Sequence, residues 1–175
     1  NIIELGYHYD ANTIELDRFK RFVLITTIHR YPYEEVTISE VSGEKKRLCD
    51  IPWDIIFFDE ASMIPVTYSV FTVYQNESID SKSAEYIFAG DPLQIPPVID
   101  ISDEEVPDDF NKEENIYSLI GLDSFLPDEQ KKIPKYGNKI LNLNKQFRSI
   151  RLIGELFSYF SYNHLITHAR DEGIG

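Results

Sequence analysis

Cysteine is almost missing from this sequence. Cys49 is the only one, which excludes an internal disulfide and a cysteine-based zinc cluster and fits a reducing, intracellular, cytoplasmic setting. Positive charge is scarce as well: 17 Lys and Arg stand against 30 Asp and Glu, a formal net charge of −13. Phosphate neutralisation dominates nucleic-acid affinity, so this balance argues against a broad nucleic-acid face and leaves room only for local contacts. No apolar run approaches the roughly 20 residues of a membrane span, so no membrane contact is expected. The N-terminus lacks the basic-then-apolar layout of a signal peptide. No internal repeat is present, and the chain opens on Asn1 rather than Met, so it reads as part of a longer protein.

What the chain does contain is ample for a core: 42% hydrophobic residues, with eleven Tyr and eleven Phe. The stretch Asp54 to Met63, Asp-Ile-Ile-Phe-Phe-Asp-Glu-Ala-Ser-Met, organises the rest. Ile55 to Phe58 run without polar interruption, as in a parallel strand covered on both faces, and deliver Asp59 and Glu60 at its carboxyl end. Open α/β sheets bind ligands just beyond such ends. An apolar strand that ends in acids is common, however, and on its own this one is as consistent with a plain turn as with a site.

Other elements fall into place around it. Phe22 to Thr27 reads as a buried strand ending in Thr26, Thr27, His29 and Arg30. Glu34 to Asp50, with Val36, Ile38 and Val41 around Gly43, suggests an inserted small hairpin or ordered loop. Ala61 to Gln75 carries Ile64, Tyr68, Phe71 and Tyr74 at helical spacing, with Pro65 in the first turn. Tyr86 to Gly90 is a second short strand ending in an acid, Asp91, and the proline-rich run Pro92 to Pro97 cannot be helix. Asp100 to Glu114 reads as an acidic solvated insertion. Ile116 to Phe125 suggests a short helix and turn, and Pro127 to Asn138 a loop. Lys139 to Asn144 alternates as a strand, and Ser149 to about His164 keeps a helical stripe of Leu152, Ile153, Leu156, Phe157 and Phe160, which places Arg148 at a strand-to-helix junction.

Three features stand in one order: Asp59-Glu60-Ala61-Ser62, then Gly90-Asp91-Pro92-Leu93-Gln94-Ile95-Pro96-Pro97, then Gln146-Phe147-Arg148-Ser149. Together they resemble motifs II, III and IV of superfamily 1 helicases, closest to the branch that includes the nonsense-decay helicases, over about Phe22 to Leu165. The resemblance implies an α/β fold: a partial RecA-like (P-loop NTPase) parallel sheet with flanking helices in residues 1–144, with insertions near 34–50 and 100–114. Residues 145–175 would open a second RecA-like domain. It implies ATP and Mg²⁺ as cofactors, single-stranded DNA or RNA as partner of the full-length protein, and the remaining helicase domains of the same chain. By the same resemblance Asp59 holds Mg²⁺ at the β- and γ-phosphates and Glu60 activates the attacking water. Gln94 senses the γ-phosphate, a task suited to an amide that both donates and accepts. Gly90 and Asp91 shape that loop, with Asp91 near the metal shell. Arg148 is the arginine finger, and Thr26 and Thr27 lie near the nucleic-acid track.

The sequence departs from that family in one decisive respect. None of its eight glycines begins the Gly-x-x-x-x-Gly-Lys-Ser/Thr loop that cradles phosphates. Leu93 and Phe147 replace a basic residue and a tyrosine frequent in the family. The expected activity is therefore that of a fragment of an ATP-dependent helicase, inactive alone. The alternative is a degenerate ATPase-like module serving as a protein-interaction scaffold; an unrelated phosphohydrolase using Asp59 and Asp91 explains neither Gln94 nor Arg148. His29 and Arg30 read as surface residues. His164 and His168 lack a zinc motif, and nothing pairs Cys49 with His29 as a nucleophile.

Overall fold

The computed structural model describes residues 2–4, 16–80, 83–98, 114–122, 124, 126–133 and 136–169. The acidic insertion expected at 100–114 lies outside them except for Glu114. The chain divides into two compact units, Asn1–Gly90 with Pro96–Ile116, and Asp91–Ile95 with Tyr117–Gly175.

In the first unit β1 (Ile2–Glu4) pairs in parallel with β2 (Val23–Ile25), shorter than the buried strand expected over Phe22–Thr27 and with Val23 and Ile25 exposed. A hairpin follows, as its turn residues foretell: β3 (Glu35–Ser39) and β4 (Glu44–Arg47) run antiparallel. Gly43 takes φ +68° in their turn, a conformation that a side chain disfavours. Apolar alternation is confined to β3, whereas Glu-Lys-Lys-Arg of β4 is exposed throughout. The hairpin segment nevertheless supplies the best-buried cluster: Val36, Leu48, Cys49 and Ile51 pack with Leu16 and Tyr31. Trp53 closes it, edge-on to Phe22 at 5.7 Å, with its indole N–H donating to the Leu48 carbonyl at 2.9 Å. Removing a fully buried leucine from such a cluster costs about 2–5 kcal/mol.

The central strand is β5 (Ile55–Phe58), paired in parallel and in register with β6 (Glu85–Phe88). The crossover between them contains a 3₁₀ turn, Ala61–Met63, and α1 (Val66–Ile79), as a parallel connection requires. Cover on both faces was expected, and among the described residues only one face has it. Phe58 is 3% exposed and stacks on Phe88 at 4.4 Å, whereas Ile55 and Phe57 are 56% and 59% exposed. The period of two sends these pairs to opposite faces, and α1 reaches only the Phe58 side, through Tyr86.

That helix also differs from expectation in the face it buries. Tyr74 is 71% exposed and Phe71 lies at the surface, while Ser69, Thr72 and Asn76 are buried. Asn76 explains the choice. Its side-chain oxygen accepts the Trp53 N–H at 2.9 Å, and its amide donates to the Trp53 carbonyl at 3.0 Å and the Tyr86 hydroxyl at 3.1 Å. A buried amide with three partners orients a helix more specifically than partial aromatic burial does.

Further along the chain, α2 (Ile116–Ile120) ends at Gly121, φ +72°. Pro127–Asn138, expected as loop, holds α3 (Pro127–Gln130), started by a proline in its first turn, and a 3₁₀ turn at Gly137–Lys139. The strand expected over Lys139–Asn144 is absent, and Leu141 and Leu143 are exposed. Among the described residues no strand pairs with Lys139–Leu143; only Asn144 is met, its carbonyl accepting the Thr167 N–H at 2.7 Å. Asn142 exchanges two hydrogen bonds with the buried Gln130 amide instead, at 2.7 and 3.0 Å. The strand is shorter and later: β7 (Lys145–Gln146) pairs in parallel with β8 (Thr167–His168). Between them α4 (Arg151–Ser161) buries its small residues, Gly154 and Ser158, and exposes the apolar stripe of Leu152, Ile153, Leu156, Phe157 and Phe160.

The fold is thus mixed α/β, with four helices and four two-stranded sheets among the described residues, three parallel and one antiparallel. No helix among them is long and apolar enough to cross a membrane.

Candidate functional site

Asp59 and Glu60 leave the end of β5 beside the end of β6. The ladder carries on past both strands: the Ala89 N–H donates to the Phe58 carbonyl at 2.8 Å, and the Ala61 N–H to the Ala89 carbonyl at 2.9 Å. This brings the Asp59-Glu60 corner next to Ala89 and Gly90, as the two loaded strand ends require. Glu60 turns the corner in the left-handed region, φ 50°, ψ 44°, which costs a residue with a side chain about 1–2 kcal/mol. Both acids are exposed. The Glu60 N–H donates to Asp59 Oδ1 at 3.1 Å, and among the described residues no group donates to Oδ2.

The turn that follows is fixed firmly. Ala61 and Ser62 are fully buried, and the Ser62 carbonyl accepts the Asn115 side-chain amide at 3.0 Å. The first N–H of α1, on Val66, donates to the Glu114 carbonyl at 2.9 Å. No side chain caps this helix, so the chain returning at 114–115 does so. Asn115 carries no signal in the sequence that would mark it for this task.

An exposed Asp with one free oxygen suits Mg²⁺, which keeps several waters and uses one or two carboxylates together with substrate phosphates. No group of three or more His, Cys, Asp or Glu that could hold a metal ion occurs among the described residues; a magnesium–phosphate site of this kind needs none.

Thr26 and Thr27 follow β2. The Thr26 hydroxyl is buried without a partner, and the Thr27 carbonyl accepts the Arg30 and Tyr31 N–H groups at 3.0 and 3.2 Å, so the pair opens a tight turn. His29 packs edge-on against Tyr68 at 4.9 Å and Arg30 pairs with Glu34 at 2.7 Å, both structural roles. An open cavity of about 460 Å³ lies between this turn and α1, lined by Tyr33, Arg47, Cys49, Tyr68, Phe71 and Gln75, away from the strand ends. The Cys49 thiol is buried there and donates to the Pro32 carbonyl at 3.4 Å; burial raises its pKa, which leaves it a poor nucleophile.

Asp91, Gln94 and Arg148 belong to the second unit. Asp91 organises its loop: Oδ1 accepts the Leu93 N–H at 3.0 Å, Oδ2 accepts the Gln94 side-chain amide at 3.2 Å, and the Tyr162 hydroxyl also donates to Oδ2. Three donors on this carboxylate make it the anchor of its loop. Burial, with the bond to Asp91, pushes the Tyr162 phenol up to about 12.

Arg148 is exposed on the turn between β7 and α4, the junction expected for it. Gln146 brackets that turn. Its Oε1 accepts the Ser149 N–H at 2.8 Å, and its Nε2 donates to the Ser149 carbonyl at 3.0 Å and to His168 Nδ1 at 2.9 Å. Gly154 permits the close approach, since a Cβ there would collide with the His168 ring and the Gln146 amide. The Gln-x-x-Ser spacing hints at the turn, but Tyr162 and His168 could not be linked to the site from sequence, being 71 and 22 residues from their partners. No protein-family model matches the chain, and no curated protein or solved structure matches it either.

Proposed function

We propose that this chain is part of an ATP-dependent superfamily 1 helicase motor of RecA-like fold, which couples Mg-ATP hydrolysis to movement along single-stranded DNA or RNA. The observation that carries this reading is the in-register parallel pairing of β5 and β6. It sets Asp59-Glu60 and the Gly90 end side by side, where an open α/β sheet receives a ligand. The left-handed Glu60 supports it: backbone strain is retained at an acidic residue in an exposed corner.

Asp59 holds Mg²⁺, and Glu60 orients and deprotonates the attacking water. Bound there, the ion neutralises charge on the β- and γ-phosphates. Gln94 reads the γ-phosphate and Arg148 meets the charge that develops on the transferred group. Phosphate-cradling residues must come from elsewhere in the motor, because no phosphate loop occurs in this sequence.

The 175-residue chain alone therefore binds Mg-ATP weakly and turns over none, as calorimetry and phosphate release will show; measurable turnover sinks the reading. In a parent chain that supplies a phosphate loop, Glu60→Gln lowers nucleic-acid-stimulated hydrolysis by at least about a hundredfold while ATP binding persists. Unchanged turnover removes Glu60 from this role.

The exposed apolar stripe of α4 favours a second reading, a degenerate ATPase-like module that serves as a protein-interaction scaffold. Glu60→Gln separates the two, since a scaffold is indifferent to it.

A further inference from the structure

Three donors converge on one carboxylate in the second unit, and only two of them come from the loop that carries it. Asp91 holds its own loop through the Leu93 N–H and the Gln94 side-chain amide. The third, the Tyr162 hydroxyl, arrives from the far end of α4, directly after Ser161. Tyr162 is itself fixed in place. Its N–H donates to the Ser158 carbonyl at 3.2 Å, and so does the N–H of His164, at 2.9 Å, with Asn163 and His164 both in the left-handed region. The Ser158 hydroxyl accepts the Ile166 N–H at 3.2 Å, tying the same turn to the segment entering β8. This is a closed helix end rather than a frayed one.

We propose that Tyr162 is a positioning residue for Gln94, acting through Asp91. The phenol and the Gln94 amide share one oxygen, Oδ2, so the direction of that carboxylate is set jointly by the loop and by the end of α4. The other end of the same helix follows the turn that Gln146 holds around Arg148. Helix α4 thus lies between the turn that carries Arg148 and the tyrosine that holds the Gln94 loop. The functional weight of the tie rests on that reading of Gln94 and Arg148; the tie itself does not.

Tyr162→Phe keeps the ring and removes only the hydroxyl. In the whole 175-residue chain, amide exchange followed by NMR will show the Leu93 N–H and the Gln94 side-chain amide exchanging about fivefold to tenfold faster in this variant. The Val36 and Lys46 amides of the hairpin keep their rates. Equal rates at Leu93 and Gln94 in the variant and the unaltered chain overturn the proposal. Should Tyr162→Phe fail to fold, Asp91→Asn supplies the second measurement: burial still holds the Tyr162 phenol up, but without the Asp91 charge its titration, followed by NMR of its own ring, moves to lower pH than in the unaltered chain. An unmoved titration overturns the proposal equally. Neither measurement involves nucleotide, so failure of the tie is distinguishable from failure of the phosphate-sensing reading, which Gln94→Ala tests by ATP titration of the parent motor.

Discussion

Tyr31 places a phenol in the core of the first unit with its hydroxyl buried and, among the described residues, unpartnered. Burial, more than its neighbours Cys49, Tyr86 and Asp50, raises its pKa well above the ordinary 10.0. The folded chain thus holds this proton more tightly than the unfolded chain does. Its contribution is whole below pH 10 and falls away as the pH climbs past that value. Tyr162 acts with the same sign, over the window from 10 to about 12. Urea midpoints will therefore drop through this alkaline range. Tyr31→Phe will flatten the drop and, at neutral pH, leave stability unchanged or raise it by up to about 1 kcal/mol, because it removes a hydroxyl that has no partner. A steeper alkaline decline in the variant contradicts the burial argument.

Helix α4 packs through what its residues lack. Gly154 and Ser158 face β7 and β8, and the bulky residues face outward. Gly154→Ala raises helix propensity by about 1 kcal/mol, but its methyl must displace the His168 ring or the Gln146 amide, an overpacking cost of about 1–3 kcal/mol. A net loss of about 0–2 kcal/mol is expected, together with loosened amides at Ser149 in hydrogen exchange. Stabilisation by this substitution refutes the close contact. The same helix shows where sequence reading stops. Its place and the Arg148 junction follow from local pattern, although the helix, Arg151–Ser161, is shorter at both ends than the expected Ser149 to about His164. Which stripe it buries does not, since periodicity locates an apolar face without supplying a surface to cover it. In α1 the failure has the opposite cause: Asn76 found three partners, and a polar stripe went inside. Lys139–Asn144 alternates well enough for a strand, yet a ladder needs a neighbour, and Asn142 took Gln130 instead. The two loaded strand ends were legible because continuous apolar runs and the acids after them are local features. Their direct pairing, and the clamp at Glu114 and Asn115, depend on contacts between distant segments.

As a whole the chain carries two opposed tendencies. Parallel strands normally lie covered on both faces, but here Val23, Ile25, Ile55, Phe57 and Ile87 are exposed, as is the α4 stripe. A net charge of −13 keeps copies apart. Salt screens that repulsion and leaves apolar attraction intact. Association measured by sedimentation will therefore increase with ionic strength, accompanied by binding of an apolar dye, and Phe157→Glu will weaken both several-fold. Association that declines with salt would instead identify ion pairing as its source.

The left-handed corner at Glu60 sets folding and chemistry at odds over a single position. Ranked by stability alone, variants at this site would be led by Gly and Asn, which adopt that backbone at little cost. The acid would be the first thing a thermostability campaign discards. A sequence lineage that keeps it forgoes a stabilising replacement one codon away, since a glutamate codon becomes a glycine codon by one base change. Position 60 is thus where a history of selection for something other than folding would leave its clearest trace.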